Sequence, residues 1–196
     1  MTANQPATLS PIVTLNNNPN EIYLLDEIYQ STVSAVIKQI NEININNDKK
    51  EKEFIADGNV FNRKPIELYI SSYGGSVYDG LGLIGVMQSS KTPVNVIATG
   101  KVMSMGLLIT CAAHKAFAYP HTTFMYHALS SWAAGQLQDL KEQYEECVRL
   151  QKVLDAIVTN NTSIPQARLT EYQGTKTNWF FDTEVALALG VIEGVV

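Results

Sequence analysis

From Ile66 to Tyr126 the chain alternates short apolar runs with segments whose apolar residues recur at helical spacing, and that alternation leaves few folds open. Ile66–Ser71 reads as a strand, Asp79–Ser90 as a short helix with Leu81, Ile84 and Met87 inward, and Val94–Thr99 as a second strand. A turn over Gly100–Ser104 opens an apolar helix, Met105–Ala113. Two short strands, Ala116–Tyr119 and Thr123–Tyr126, follow around Pro120-His121. Strand, helix, strand, helix, strand is the order of a layered α/β domain with parallel pairing.

The rest of the chain extends that pattern. Residues 1–21, rich in Asn, Pro and Thr, predict a flexible arm; residues 22–196 predict a single domain, a size that carries a full core. Residues 22–25 form a strand candidate, and Ser31–Ile43 repeats Val33, Val36, Ile37, Ile40 and Ile43 at helical steps. Residues 45–64 are polar and predict a long loop ending at Pro65, with the mixed run Asp48–Glu53 solvated. Leu137, Leu140, Tyr144, Cys147, Leu150, Leu154 and Ile157 mark one long amphipathic helix. Such a helix covers its own domain's core or projects to pack on another subunit. Ser163 and Pro165 open a last short helix, and Gly190 closes one over Thr183–Leu189.

Composition excludes several classes of function. A formal net charge of −5 gives no basic field for nucleic acid. The longest apolar run, Met105–Ala113, is too short to span a bilayer, and Met1–Gln5 has no signal-peptide character, so a cytoplasmic protein (or one of a plastid stroma) is expected. Cys111 and Cys147 lack metal-site spacing and read as buried thiols of a reducing compartment.

Three short segments carry chemistry. Ser104 sits in the small-residue turn Val102-Met103-Ser104-Met105-Gly106; Gly74-Gly75 follows a strand directly; His127 ends the apolar run Phe124-Met125-Tyr126. A serine needs a base to attack at neutral pH and N–H donors for the oxyanion that forms. A strand-to-helix turn supplies unpaired N–H groups, and a glycine pair can turn its own outward. Each residue also has a plain reading. Ser104 could be an ordinary helix cap, the glycines a bare turn, and His127 a hydrogen-bonded strand end; His114 and His121 read as surface residues.

Taken together, Ile70-Ser71-Ser72-Tyr73-Gly74-Gly75-Ser76-Val77, Gly100–Gly106, Tyr119-Pro120 and Met125-Tyr126-His127 resemble the proteolytic subunit of the Clp protease family. The resemblance runs from about Ile66 to the C-terminus and weakens over residues 22–44. It implies a crotonase-like superhelix of β-β-α units with a protruding handle at about residues 128–162. Ser104 would be the nucleophile of a serine endopeptidase and His127 its base. The N–H groups of Gly75 and Met105 would form the oxyanion hole, with no metal or organic cofactor. The family's third residue, an aspartate, aligns with Asn178; Asp182 is an alternative orienting acid. The resemblance further implies stacked heptamers of identical subunits enclosing a chamber for unfolded polypeptides. It also implies an ATP-driven unfoldase partner, with Tyr69 and Phe117 lining its docking cleft.

The chain departs from the family pattern at Asn178, at Tyr73 where proline is usual, at the polar Ser89, and in the length of residues 45–64. An Asp→Asn change in a serine protease triad costs roughly 10⁴ in kcat, whereas papain-like enzymes work with Asn. Two other readings remain open at this level: a non-catalytic or weakly active ring subunit, and a crotonase-type acyl-CoA enzyme, for which no acid–base carboxylate pair stands out.

Overall fold

The computed structural model describes residues 18–131 and 134–196. Most of the expected arm, residues 1–17, and two positions of the expected handle, Trp132 and Ala133, lie outside the described residues. The described elements are β1 Glu21–Leu24, α1 Gln30–Ala56, β2 Ile66–Ser72, α2 Val77–Ser89, β3 Val94–Met103, α3 Met105–Cys111, β4 Lys115–Ala118 and β5 Thr123–Tyr126. α4 Leu137–Asn161, α5 Gln166–Thr175, β6 Trp179–Phe181, α6 Thr183–Ala188 and β7 Gly194–Val195 complete them.

β1, β2, β3, β4 and β7 lie side by side, all parallel. In β2 the residues Ile66, Leu68 and Ile70 are fully buried and alternate with half-buried Glu67, Tyr69 and Ser71, the signature of a sheet with one face packed on the core. α1, α2 and α3 supply that core with Val36, Ile40, Leu83, Met87 and Leu107. The mixed α/β class with parallel pairing is the one the alternation predicts.

β3 is longer than expected and feeds two partners. Asn95–Ala98 pair with β4, and Lys101–Met103 pair with β5. Gly100, at φ +64°, lets the strand change neighbours. The expected turn over Gly100–Ser104 therefore shrinks to Ser104. β5 also pairs antiparallel with β6, so the two form a branch of the same seven-stranded sheet off the end of β3.

The predicted loop over residues 45–64 is corrected too, because α1 continues to Ala56. Besides Ile43 on the core and a Phe54–Phe61 ring contact, polar contacts anchor its second half. Asn44 receives Thr92 N–H at 3.0 Å, and buried Asn47 donates to Thr92 Oγ1 at 3.0 Å. Arg63 folds back onto Asp48 and Glu51, so those two charges are not simply solvated.

α4 divides into two halves. Leu150, Leu154 and Val158 are buried, whereas Leu137 is 85% and Tyr144 69% exposed. Packing on the chain's own core thus holds from Leu150 onward, and the first half projects. Cys147, expected buried, is half-exposed on that half, while burial pushes the Cys111 thiol up to about 12. Among the described residues no helix is long and apolar enough to cross a membrane.

Candidate active site

Ser104 stands where β3 becomes α3, with φ 52° and ψ −121°, a backbone state rare for a residue with a side chain. Its N–H donates to Met125 O at 2.8 Å, and every residue of α3 behind it is buried, so the surroundings impose the turn. Its side chain makes no cap bond to α3, which removes the plain helix-cap reading. Gly74 packs against it: a Cβ there would lie 2.7 Å from Ser104 Cβ.

The Ser104 hydroxyl turns instead to His127, whose Nε2 lies 2.6 Å from Oγ. His127 directly follows β5, whose register on β3 (Val102 with Phe124, Met103 with Met125) brings the two strand ends together. Burial lowers the pKa of the half-buried imidazole. The ring is accordingly neutral at pH 7, the state in which Nε2 can accept a proton.

Two more residues lie beside this pair, Gly75 and Met105. Ile28 bridges Gly75 in parallel, with Ile28 N–H on Gly74 O at 2.8 Å and Ser76 N–H on Ile28 O at 2.7 Å. That pattern uses the groups on either side of Gly75 and leaves the N–H of Gly75 directed away from Ile28. Met105 is the first residue of α3, so its N–H has no partner within the helix. Gly75 and Met105 line one cavity of about 90 Å³ with Ser104 and His127; Val77, Leu108 and Leu154 supply apolar wall.

Asn178 precedes β6. The pairing of Tyr126 with Trp179 sets it opposite His127 when the register is carried one step further, and the two line one cavity of about 490 Å³. Among the described residues no hydrogen bond joins them. Asp182 lies at the far end of β6, where its carboxylate accepts Val185 N–H at 2.9 Å and caps α6. The structure thus does not bring Asp182 to the imidazole.

Tyr69 and Phe117 fall in one row across the sheet, Tyr23–Tyr69–Ile97–Phe117, well before the strand end that carries Ser104. Tyr69 stacks on Tyr23 at 4.9 Å, and burial pushes its phenol up to about 12. His114 and His121 are exposed, as expected. Sequence reasoning passed over a polar cluster behind His127, formed by Tyr126, Gln151, Asp155 and Gln173. The available signal was an aspartate, Asp155, on the apolar stripe of α4 between Leu154 and Val158.

Comparison with known proteins agrees with this geometry. The Clp protease family model matches residues 10–196. The ATP-dependent Clp protease proteolytic subunit 1 of Synechococcus sp. (strain CC9902) is 35% identical over 135 residues, 68% of this chain and 68% of its own length. The proteolytic subunit 2 of Parasynechococcus marenigrum (strain WH8102) is likewise 35% identical over 135 residues, with the same coverage of both chains. A family match across nearly the whole length also displaces the acyl-CoA reading: the chain belongs to the Clp protease family, a family of serine-type peptidases.

Proposed function

We propose that this protein is a serine endopeptidase in which Ser104 attacks a peptide carbonyl while His127 takes the hydroxyl proton at Nε2. The 2.6 Å contact between the two side chains carries the reading. The N–H groups of Gly75 and Met105 hold the oxyanion; removing one such donor costs on the order of 10²–10³ in kcat. His127 then returns the proton to the leaving amine, and water hydrolyses the acyl-enzyme. Asn178 accepts from the second ring nitrogen, Nδ1, and fixes the tautomer without adding charge. Its place opposite His127 on the β5–β6 register supports that role.

The relatives' names extend the proposal to assembly. Unfolded polypeptides are the substrates, cut inside a chamber of stacked rings of this subunit in the cytoplasm or a comparable compartment. The projecting half of α4 serves as the handle between rings; its exposed Leu137 and Tyr144 support this. An ATP-driven unfoldase docks on the face that carries Tyr69 and Phe117. A fluorophosphonate probe tests the core of the reading. The assembled protein should be labelled and Ser104→Ala should not. Absence of labelling in the assembled parent protein would replace the peptidase with a non-catalytic ring subunit.

A further inference from the structure

Behind His127 lies a buried carboxylate whose partners are all neutral. Asp155, on the buried half of α4, is 6% exposed. Its Oδ1 accepts from Tyr126 OH at 3.0 Å and Gln151 Nε2 at 2.7 Å. Gln166 Nε2 donates to Oδ2 at 2.9 Å, and Gln173 Nε2 reaches both oxygens at 3.0 Å. The carboxylate thus ties α4 to α5 and to the end of β5. A buried anion is costly unless donors satisfy it, so a cluster of this kind adopts one arrangement and resists others.

The arrangement converges on the two sides of His127. Before it, the Tyr126 hydroxyl is held by Asp155 and receives Gln173 Nε2 at 2.7 Å. After it, the Leu129 N–H donates to Gln151 Oε1 at 2.7 Å, and Gln151 is itself fixed by Asp155. On the facing side Gln173 sits five residues before Asn178 and lines the cavity that Asn178 shares with His127. Among the described residues the Leu129 N–H and the Tyr126 hydroxyl bond only within this network.

Resting on the peptidase reading above, we propose that Asp155 is the positioning residue for His127, acting through Tyr126 on one side and Gln151–Leu129 on the other. It touches neither substrate nor the reacting atoms. Its effect is on where the imidazole points, and small misplacements of a reacting group cost up to about 10²-fold in rate. The cluster stands in the same subunit as the pair it orients.

The test compares Asp155→Asn, Tyr126→Phe and Gln151→Ala with the parent protein, all assembled and at 25 °C. Asp155→Asn places an amide against donors and can fail to fold; Tyr126→Phe and Gln151→Ala leave the carboxylate in place and decide the matter then. The rate of Ser104 labelling by a small fluorophosphonate and kcat for a fluorogenic peptide should fall together, by about tenfold, with KM within about twofold. A merely structural role would lower the thermal midpoint and leave both rates of the folded protein intact. Labelling and kcat within twofold of the parent in a folded variant, or a change confined to KM, would overturn the inference. Failure of the parent itself to be labelled would instead overturn the peptidase reading, and this inference with it.

Discussion

Gly75→Ala tests how closely backbone and chemistry are joined in this protein. A methyl group at position 75 would lie 2.3 Å from the carbonyl oxygen of Ile28, and the residue has φ +149°. Neither side of that contact is a flexible chain end, so the bridge must open. Its bonds at 2.8 and 2.7 Å would be lost or lengthened. Each is worth about 1 kcal/mol and the strained backbone of order 1–3 kcal/mol, so the fold should weaken by roughly 3–5 kcal/mol. For a chain of this length that is a fall of about 6–20 °C in thermal midpoint. Opening the bridge also re-aims the Gly75 N–H, so kcat/KM on a fluorogenic peptide should fall by about 10²-fold or more at a temperature where the variant is folded. Gly82→Ala is the matched control. A methyl there meets nothing within 4 Å, and the α2 backbone should gain about 0.5–1 kcal/mol with activity unchanged. A Gly75→Ala protein with kcat/KM within threefold of the parent would refute the reasoning about the oxyanion site.

Burial lowers the His127 pKa, so the acid limb of kcat/KM should lie below the ordinary histidine value of about 6.5; a limb above pH 7 would contradict the neutral-base assignment. By the same shift the unfolded chain binds this proton more readily, so the group's contribution to stability is present above about pH 6.5 and is lost as pH falls through the lowered value. Asn178→Asp should leave peptide cleavage unchanged or raise it, by about tenfold at most, since the residue is exposed and water screens the added charge. A loss beyond tenfold with assembly intact would mean the amide itself is required. Asn47→Ala removes a buried donor to Thr92 and should cost about 1–2 kcal/mol in a denaturation experiment while kcat stays at the parent value.

Much of the site was legible because its parts are short and local. A serine in a small-residue turn, a glycine pair after a strand and a histidine after another strand keep their meaning wherever the fold carries them. The parallel α/β order was legible for a similar reason, since apolar periodicity reports burial directly. What escaped was held by polar groups with no period. The second half of α1 is helical because Asn44, Asn47, Asp48 and Glu51 find partners in Ser90, Thr92, Lys91 and Arg63, none of which a search for apolar spacing detects. The cluster around Asp155 escaped likewise, because its glutamines lie on α4 and α5, and only the folded chain brings them together. The exchange of partners along β3 turns on one left-handed glycine inside what reads as a loop.

α4 is one continuous helix with two unequal attachments. Its last turns are locked by Leu150, Leu154 and Val158; its first three turns rest on little of their own subunit. Helical segments of roughly a dozen residues are marginal in water, so under the ring assembly proposed above those turns gain order from the subunit that covers Leu137 and Tyr144. The link from His127 to that half is short, Ala128 to Gln136, and Leu129 within it is tethered to Gln151. Occupancy of the outer stripe and the steadiness of the imidazole are therefore linked by mass action. Dilution alone should quieten such a protein long before any of its core melts.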